Sequence, residues 1–310
     1  MTRTVTVDKL VNTLAVTIKY GSEFKDNKLY TSEVSRPGLV LAGFSQGFPH
    51  ERIQLIGRTE MAYLEQKTDS EKEEIYQALC HNDTPAIVFA RDIEIPAKLI
   101  PYAQAAGIPI LGAKSKTSRV LSNLTNFLEH ELAERISKHG VFMEVYGMGV
   151  MLTGTSGVGK SETALELIQR GHRLVADDRV ELYQMDELTL LGEAPDILQN
   201  LVEIRGLGIV DVVSLYGVAA IRSNLQLELI INLVVDDGTV VYDRLGNMED
   251  YEEIFDVKIP RITIPVKTGR SLSVIIESAA MNHRATLMGF DAKETFNRKL
   301  RELIDSNREV

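Results

Sequence analysis

The chain has 310 residues, 44% of them hydrophobic and 25% charged, with one cysteine and a formal net charge of −10. This length makes two domains the expectation, and the composition is that of an ordinary globular protein. The acidic balance argues against nucleic acid or an anionic membrane as a main partner, and one cysteine, Cys80, excludes a disulfide framework or a cysteine-rich metal site.

Residues 1–8 carry no signal-peptide core and no apolar run reaches bilayer length, so the cytoplasm is the expected compartment. Strand-like and helix-like segments then alternate. Residues 52–57 predict a strand, and Ser70-Glu-Lys-Glu73 reads as a capping box opening a helix to about His81. Residues 86–90 form a short apolar strand. Residues 96–106 are helical up to Gly107, with a break or restart expected at Pro101. Residues 108–111 are a further strand, and a long helical pattern spans 117–138. Alternation of this kind implies parallel βαβ units, and hence an α/β domain over 1–128 without a recognisable chemical motif. Regulation, packing or assembly is its default role.

From 129 to 310 the signals are richer in strands: 141–145, 150–153 and 180–183. Residues 227–235, Asp236-Asp237-Gly238 and 240–242 together read as a hairpin. Asp291-Ala-Lys-Glu294 caps a last helix running to about Ile304.

Between an apolar strand and a helical pattern lie Gly154, Thr155, Ser156, Gly157, Val158, Gly159, Lys160 and Ser161, a complete G-x-x-x-x-G-K-S phosphate loop. Glycines let successive N–H groups turn inward around a polyphosphate, and the helix N-terminus adds partial positive charge. Nucleoside triphosphate binding is therefore expected, with Lys160 on the β/γ-phosphates and Ser161 on Mg²⁺. Such a site needs a carboxylate on an apolar strand. Asp177-Asp178 and Asp236-Asp237 compete for that role, the second pair reading as a turn before Gly238. Two adjacent carboxylates beside phosphates repel each other, which makes one of Asp177 and Asp178 a plausible proton acceptor; the sign of any pKa shift is not decidable from sequence.

Two further segments carry charge beside glycine. Val202, Glu203, Ile204, Arg205, Gly206, Leu207, Gly208, Ile209, Val210 and Asp211 place a carboxylate and a guanidinium before a G-x-G turn. Pro265, Val266, Lys267, Thr268, Gly269 and Arg270 form a candidate anion loop. By spacing alone the first reads as a bland loop, and for the second solvated loop charges are an equally open reading.

Phosphate loop, A-D-D, E-I-R-G-L-G-I-V-D and P-V-K-T-G-R, with His139-Gly140 upstream, occur in an order that resembles the HPr kinase/phosphorylase family over essentially the whole chain. The resemblance implies phosphorylation of a serine of HPr, the phosphocarrier of the sugar phosphotransferase system, using ATP or pyrophosphate. It also implies the reverse phosphorolysis, in which inorganic phosphate yields pyrophosphate. The implied fold is an α/β N-terminal domain plus a P-loop kinase domain like the nucleotide-binding core of phosphoenolpyruvate carboxykinases. The implied assembly is a homohexamer, with fructose 1,6-bisphosphate and phosphate as effectors. By the same resemblance Asp178 is the shared base and acid, and Ser161 and Glu203 are the magnesium ligands. Lys160 and Arg244 neutralise transferring charge, and His139 is catalytic rather than a helix-end histidine. Residues 202–211 serve both reactions, and 265–270 chiefly phosphorolysis. A small-molecule kinase and a nucleotide-dependent switch remain as rival readings.

Overall fold

The computed structural model describes residues 3–236, 250–267, 269–290 and 292–308, and the chain divides between Glu134 and Arg135 into two units. Arg244, Thr268, Asp291 and the expected turn and strand at 237–242 lie outside the described residues.

The first unit carries a five-stranded sheet. Strands β1 (Thr17–Tyr20), β2 (Val34–Ser35), β3 (Ile53–Ile56), β4 (Ile87–Phe89) and β5 (Ile110–Gly112) lie in the order β1-β5-β4-β3-β2. β2 to β5 are parallel, and β1 is antiparallel to β5. Parallel neighbours need crossovers. These contain α1 (Arg58–Glu65), α2 (Asp69–Leu79) and α3 (Leu99–Ala105), and α4 (Thr117–Leu132) follows the last strand. Ile56, Phe89 and Ile110 pack with Leu64, Leu79 and Leu99 on one face, while Leu55, Val88 and Leu111 meet Val120, Leu124 and Leu128 of α4 on the other. Burial on both faces explains why these strands read as continuous apolar runs.

Three local expectations shift. The capping box of α2 is Thr68 with Glu71, two residues before the expected one: Glu71 N–H donates to Thr68 Oγ1 and Thr68 N–H to Glu71 Oε2. Pro101 occupies the third position of α3 and causes no break, because a first-turn N–H has no intrahelical acceptor to lose. The helix expected to Lys138 stops at Leu132. Cys80 ends α2, and burial pushes its thiol up to about 12, as suits an inert filler.

The second unit opens with β6 (Arg135–His139), β7 (Val141–Val145), β8 (Met148–Gly154) and α5 (Lys160–Gln169). Then come β9 (Arg173–Ala176), β10 (Arg179–Gln184), β11 (Leu190–Glu193), β12 (Leu201–Ile204), β13 (Gly208–Asp211) and the short α6 (Val212–Tyr216). β14 (Asn224–Gln226), β15 (Leu229–Val235), β16 (Asp250–Ile254), β17 (Val257–Val266), α7 (Leu272–Leu287) and α8 (Ala292–Arg308) complete it. A six-stranded sheet has the order β9-β7-β8-β15-β17-β16, and a four-stranded one β14-β11-β10-β6. Ala164, Leu167, Ile276 and Ala280 of α5 and α7 cover one face of the larger sheet, against Val150, Leu152, Leu229 and Ile231. Phe142, Met151 and Ile230 on its other face meet Val180, Leu182 and Leu190 of the smaller sheet.

Pairing with β10, from Arg135↔Tyr183 to His139↔Arg179, overrides the helical pattern of 135–138 and makes His139 a strand end. β15 is a central strand of the sheet. Its two edges are taken in parallel by β8 and β17, as suits a strand apolar on both faces. Among the described residues no helix is long and apolar enough to cross a membrane.

Candidate active site

β8 delivers the chain to Gly154, paired with Leu233 of β15. A Cβ there would stand 2.2 Å from the Leu233 carbonyl oxygen, and φ is +134°, so glycine alone enters this loop without displacing backbone. Gly157 and Gly159 also have positive φ. α5 then begins at Lys160 with no side chain capping its N-terminus, which leaves first-turn N–H groups for an anion. The Lys160 side chain is buried and folded onto its own loop, its Nζ donating to the Gly154 carbonyl at 2.9 Å and the Thr155 carbonyl at 3.1 Å. Burial lowers its pKa, while Asp177 and Asp178 oppose that shift.

A cleft of about 150 Å³ opens above the loop, lined by His139, Ser156, Lys160, Ser161, Asp177, Asp178, Glu203 and Arg205 among others. The two aspartates form the tight turn from β9 to β10, where Arg179 N–H donates to the Asp177 carbonyl and Asp178 takes a φ of +66°. That turn separates their environments. Asp177 is 3% exposed; it accepts the Ser161 hydroxyl at 3.0 Å and the Glu203 backbone N–H at 2.9 Å. Burial raises its pKa, against the hydrogen bonds from Glu203 and Ser161. Asp178 stays exposed, its carboxylate 3.0 Å from His139 Nδ1. Of the two acid pairs weighed from sequence, the A-D-D pair is therefore the one beside the loop serine.

The segment 202–211 forms the hairpin β12–β13. Val202 is fully buried and anchors it, Glu203 reaches the cleft, and Arg205 donates to Ser156 Oγ at 3.0 Å. Arg205 Nη1 lies 2.6 Å from where a Cβ on Gly157 would stand, so the guanidinium leans over the loop. Gly206 and Gly208 shape the tip with positive φ, leaving Leu207 and Ile209 exposed. Asp211 is committed to structure: it caps α6 by accepting Ser214 N–H at 3.0 Å.

Pro265 and Val266 end β17, and Lys267 Nζ pairs with Asp236 at 2.8 Å. Because β8, β15 and β17 are parallel neighbours, this segment shares the carboxyl edge that carries the phosphate loop, two strands along. Its described residues do not line the cleft. Among the described residues no group of three or more His, Cys, Asp or Glu is placed to hold a metal unaided. Ser161, Asp177 and Glu203 nonetheless supply the hard oxygens suited to an ion that keeps its waters and takes phosphate oxygens as ligands.

Two family models together match most of the chain. The model for the HPr Serine kinase C-terminal domain matches residues 130–300, and that for the HPr Serine kinase N terminus matches residues 5–128. The chain belongs to the HPr kinase/phosphorylase family. An HPr kinase/phosphorylase of Levilactobacillus brevis is 51% identical over 307 residues, covering 99% of each chain. One of Lactiplantibacillus plantarum is 49% identical over 308 residues, covering 99% of this chain and 98% of its own. The solved HPr(Ser) kinase/phosphatase from Coxiella burnetii, 35% identical, covers 52% of this chain and 98% of its own with a TM-score of 0.47. Membership in this kinase family implies an enzyme that uses a nucleotide.

The feature that motif reading leaves out is the grip of Asp177 on Ser161. Its only trace in the sequence is a carboxylate ending an apolar strand. In the free protein a buried carboxylate with a raised pKa costs stability once ionised. For Asp177→Asn we expect an unfolding midpoint at or above that of the wild type at pH 7. The difference should be complete above the raised native pKa and shrink as pH falls through it toward 3.8, the ordinary value. Thermal unfolding across that range checks this, and a variant less stable at pH 7 would overturn it.

Proposed function

We propose that this cleft moves a phosphoryl group between ATP and a serine of HPr, and returns it by phosphorolysis to give pyrophosphate. The observation that carries the reading is Asp178, exposed beside His139, in the same cleft as Lys160 and the Asp177-held Ser161. Family membership favours it over a small-molecule kinase or a nucleotide switch.

In the kinase direction the Asp178 carboxylate accepts the serine proton as the serine oxygen bonds to the γ-phosphorus and the bond to the β,γ-bridging oxygen breaks. In phosphorolysis an oxygen of inorganic phosphate attacks the seryl-phosphate phosphorus, the Oγ–P bond breaks, and Asp178 returns a proton to Oγ. General acid–base help of this type is typically about 10²–10⁴-fold. His139, 3.0 Å away, orients the carboxylate. The loop N–H groups and Lys160 bind the phosphates; Lys160 exchanges two loop carbonyls for them. Ser161 and Glu203 would hold Mg²⁺, which neutralises phosphate charge when bound. Arg205, already over the loop, and Arg244 add positive charge to the transferring group. Residues 265–270 serve phosphorolysis from the same carboxyl edge, two strands along from the phosphate loop. Assembly as a homohexamer, with fructose 1,6-bisphosphate and phosphate as effectors, completes the proposal.

Incubation with HPr, ATP and Mg²⁺, followed by inorganic phosphate, tests it. Intact mass should show HPr gaining and then losing one phosphoryl group; an unmodified HPr throughout would refute it.

Lys160→Ala should abolish ATP-dependent phosphorylation while the fold survives, since removing one such electrostatic contact commonly costs about 3–4 kcal/mol. Near-wild-type turnover at saturating ATP would remove Lys160 from the mechanism. Asp178→Asn keeps volume and loses the proton, so both directions should slow by roughly 10²-fold or more while nucleotide binding persists. If one direction kept wild-type turnover, the shared role would be wrong. Because all proposed catalytic residues lie at or after His139, a fragment from about residue 128 should retain both activities. A folded but inactive fragment would count against this division.

A further inference from the structure

A second buried carboxylate, outside the cleft, joins the helix that carries the phosphate loop to the helix that follows 265–270. Glu277, in the second turn of α7, is 7% exposed. Arg170, which ends α5, grips it with two bonds, Nε to Oε1 at 2.8 Å and Nη2 to Oε2 at 2.6 Å. His172, buried just before β9, stands with Nε2 3.0 Å from the same Oε1. The fork, ahead of His172, holds the Glu277 carboxyl below its ordinary value, so the pair is ionised at neutral pH. None of these three groups reaches the cleft.

The two helices meet at both ends of α5. At its start, a Cβ on Gly159 would stand 4.0 Å from Leu272 Cδ1, in the first turn of α7. At its end is the Arg170–Glu277 fork. Between these points Ala164 and Leu167 pack with Ile276 and Ala280. Apolar burial is non-directional and leaves one helix free to slide against the other. A two-bond guanidinium–carboxylate fork fixes geometry as well as energy. The phosphate loop has anchors of its own, since Gly154 pairs with Leu233 and Lys160 bonds two loop carbonyls. The segment 265–270 is anchored on the β17 side by pairing with β15 as far as Val266 and by Lys267 on Asp236. On the α7 side Glu277 supplies the tie.

We propose, on the phosphoryl-transfer reading of the cleft, that Glu277 is a positioning residue on which phosphorolysis depends more than the kinase reaction. Through Arg170 it sets α7, and with it 265–270, in register with the phosphate loop. The kinase direction draws on the phosphate loop, Asp178 and Glu203, carried by α5, the β9–β10 turn and β12. Phosphorolysis adds an attacking phosphate, which 265–270 serves from the same carboxyl edge. A slip of α7 against α5 therefore leaves the first set in place and displaces the second. A misplacement of about 1 Å far from the chemistry is enough to cost about 10²-fold.

Glu277→Gln and Arg170→Gln, made in the full chain, test this through kcat and KM in both directions. Each should lose roughly tenfold or more in kcat/KM for inorganic phosphate and stay within about twofold of wild type for ATP. The double variant should lose no more than either single one, because both break the same tie. Arg170 is exposed, and its loss leaves Glu277 with His172, so Arg170→Gln keeps the test open if Glu277→Gln does not fold. Amide hydrogen exchange adds a readout that needs no turnover. Val266, Lys267, Gly269 and Arg270 should exchange several-fold faster in either variant, with 154–161 unchanged. Activities lost equally in both directions or in neither, a larger loss with ATP, or unchanged exchange would each overturn the proposal. A wild-type enzyme that leaves HPr unmodified would instead sink the phosphoryl-transfer reading, while exchange would still report on the tie.

Discussion

The buried carboxylate of Asp177 is the tie on which the cleft above the phosphate loop depends. It joins three segments distant in sequence: the first turn of α5 through Ser161, the β9–β10 turn that carries it, and β12 through the Glu203 N–H. A carboxylate this deep is kept only where hydrogen bonds offset its desolvation, and removing either donor would leave it short of partners. The same grip fixes which Ser161 lone pairs face the cleft, and it sets Glu203 on the cleft side of its strand. Asp178, one residue on, is forced by the turn into positive φ and out toward His139. Adjacent residues with one side chain chemistry thus divide into a buried acid that ties the cleft together and an exposed one, the working acid of the proposed mechanism. Burial, not sequence, separates them.

The phosphate loop is held in a state that phosphate must displace. Lys160 satisfies two carbonyls of its own loop, and Arg205 rests on Ser156 over Gly157. Both cations are therefore already desolvated or positioned before ligand arrives, and an incoming phosphate replaces neutral acceptors by charged ones. The bonds to carbonyl and hydroxyl oxygen already have charged donors, and phosphate adds the direct attraction of opposite charges to them, so the exchange favours the liganded loop. It also favours the more highly charged group, which is the one that grows in phosphoryl transfer.

Much of this was legible in the sequence because glycine and periodicity leave local marks. The phosphate loop, the apolar strands of both sheets and the parallel character of the first unit all follow from patterns within a dozen residues. What escaped required a partner distant in the chain. Residues 135–139 look helical alone and become a strand only because β10 lies beside them. The parallel pairing of 229–235 with β8 and β17 likewise depends on strands far away in the chain. The capping box of α2 slipped by two residues because two overlapping frames satisfy the same rule. Motif spacing singled out Lys160, Ser161, Asp178 and Glu203, which the structure gathers around one cleft, while the different burial of Asp177 and Asp178 depended on a turn that spacing does not encode.

At the carboxyl edge of the larger sheet the chain gathers its phosphate loop, the N-terminus of α5 and basic side chains. That edge also carries acids, one buried and one exposed, and burial raises the pKa of the first. Cations alone would bind phosphate and leave it as it was, because proton transfer needs a carboxylate within reach of the reacting oxygen. In the proposed mechanism Asp178 is that carboxylate, and the turn that buries Asp177 is what leaves its neighbour exposed beside His139.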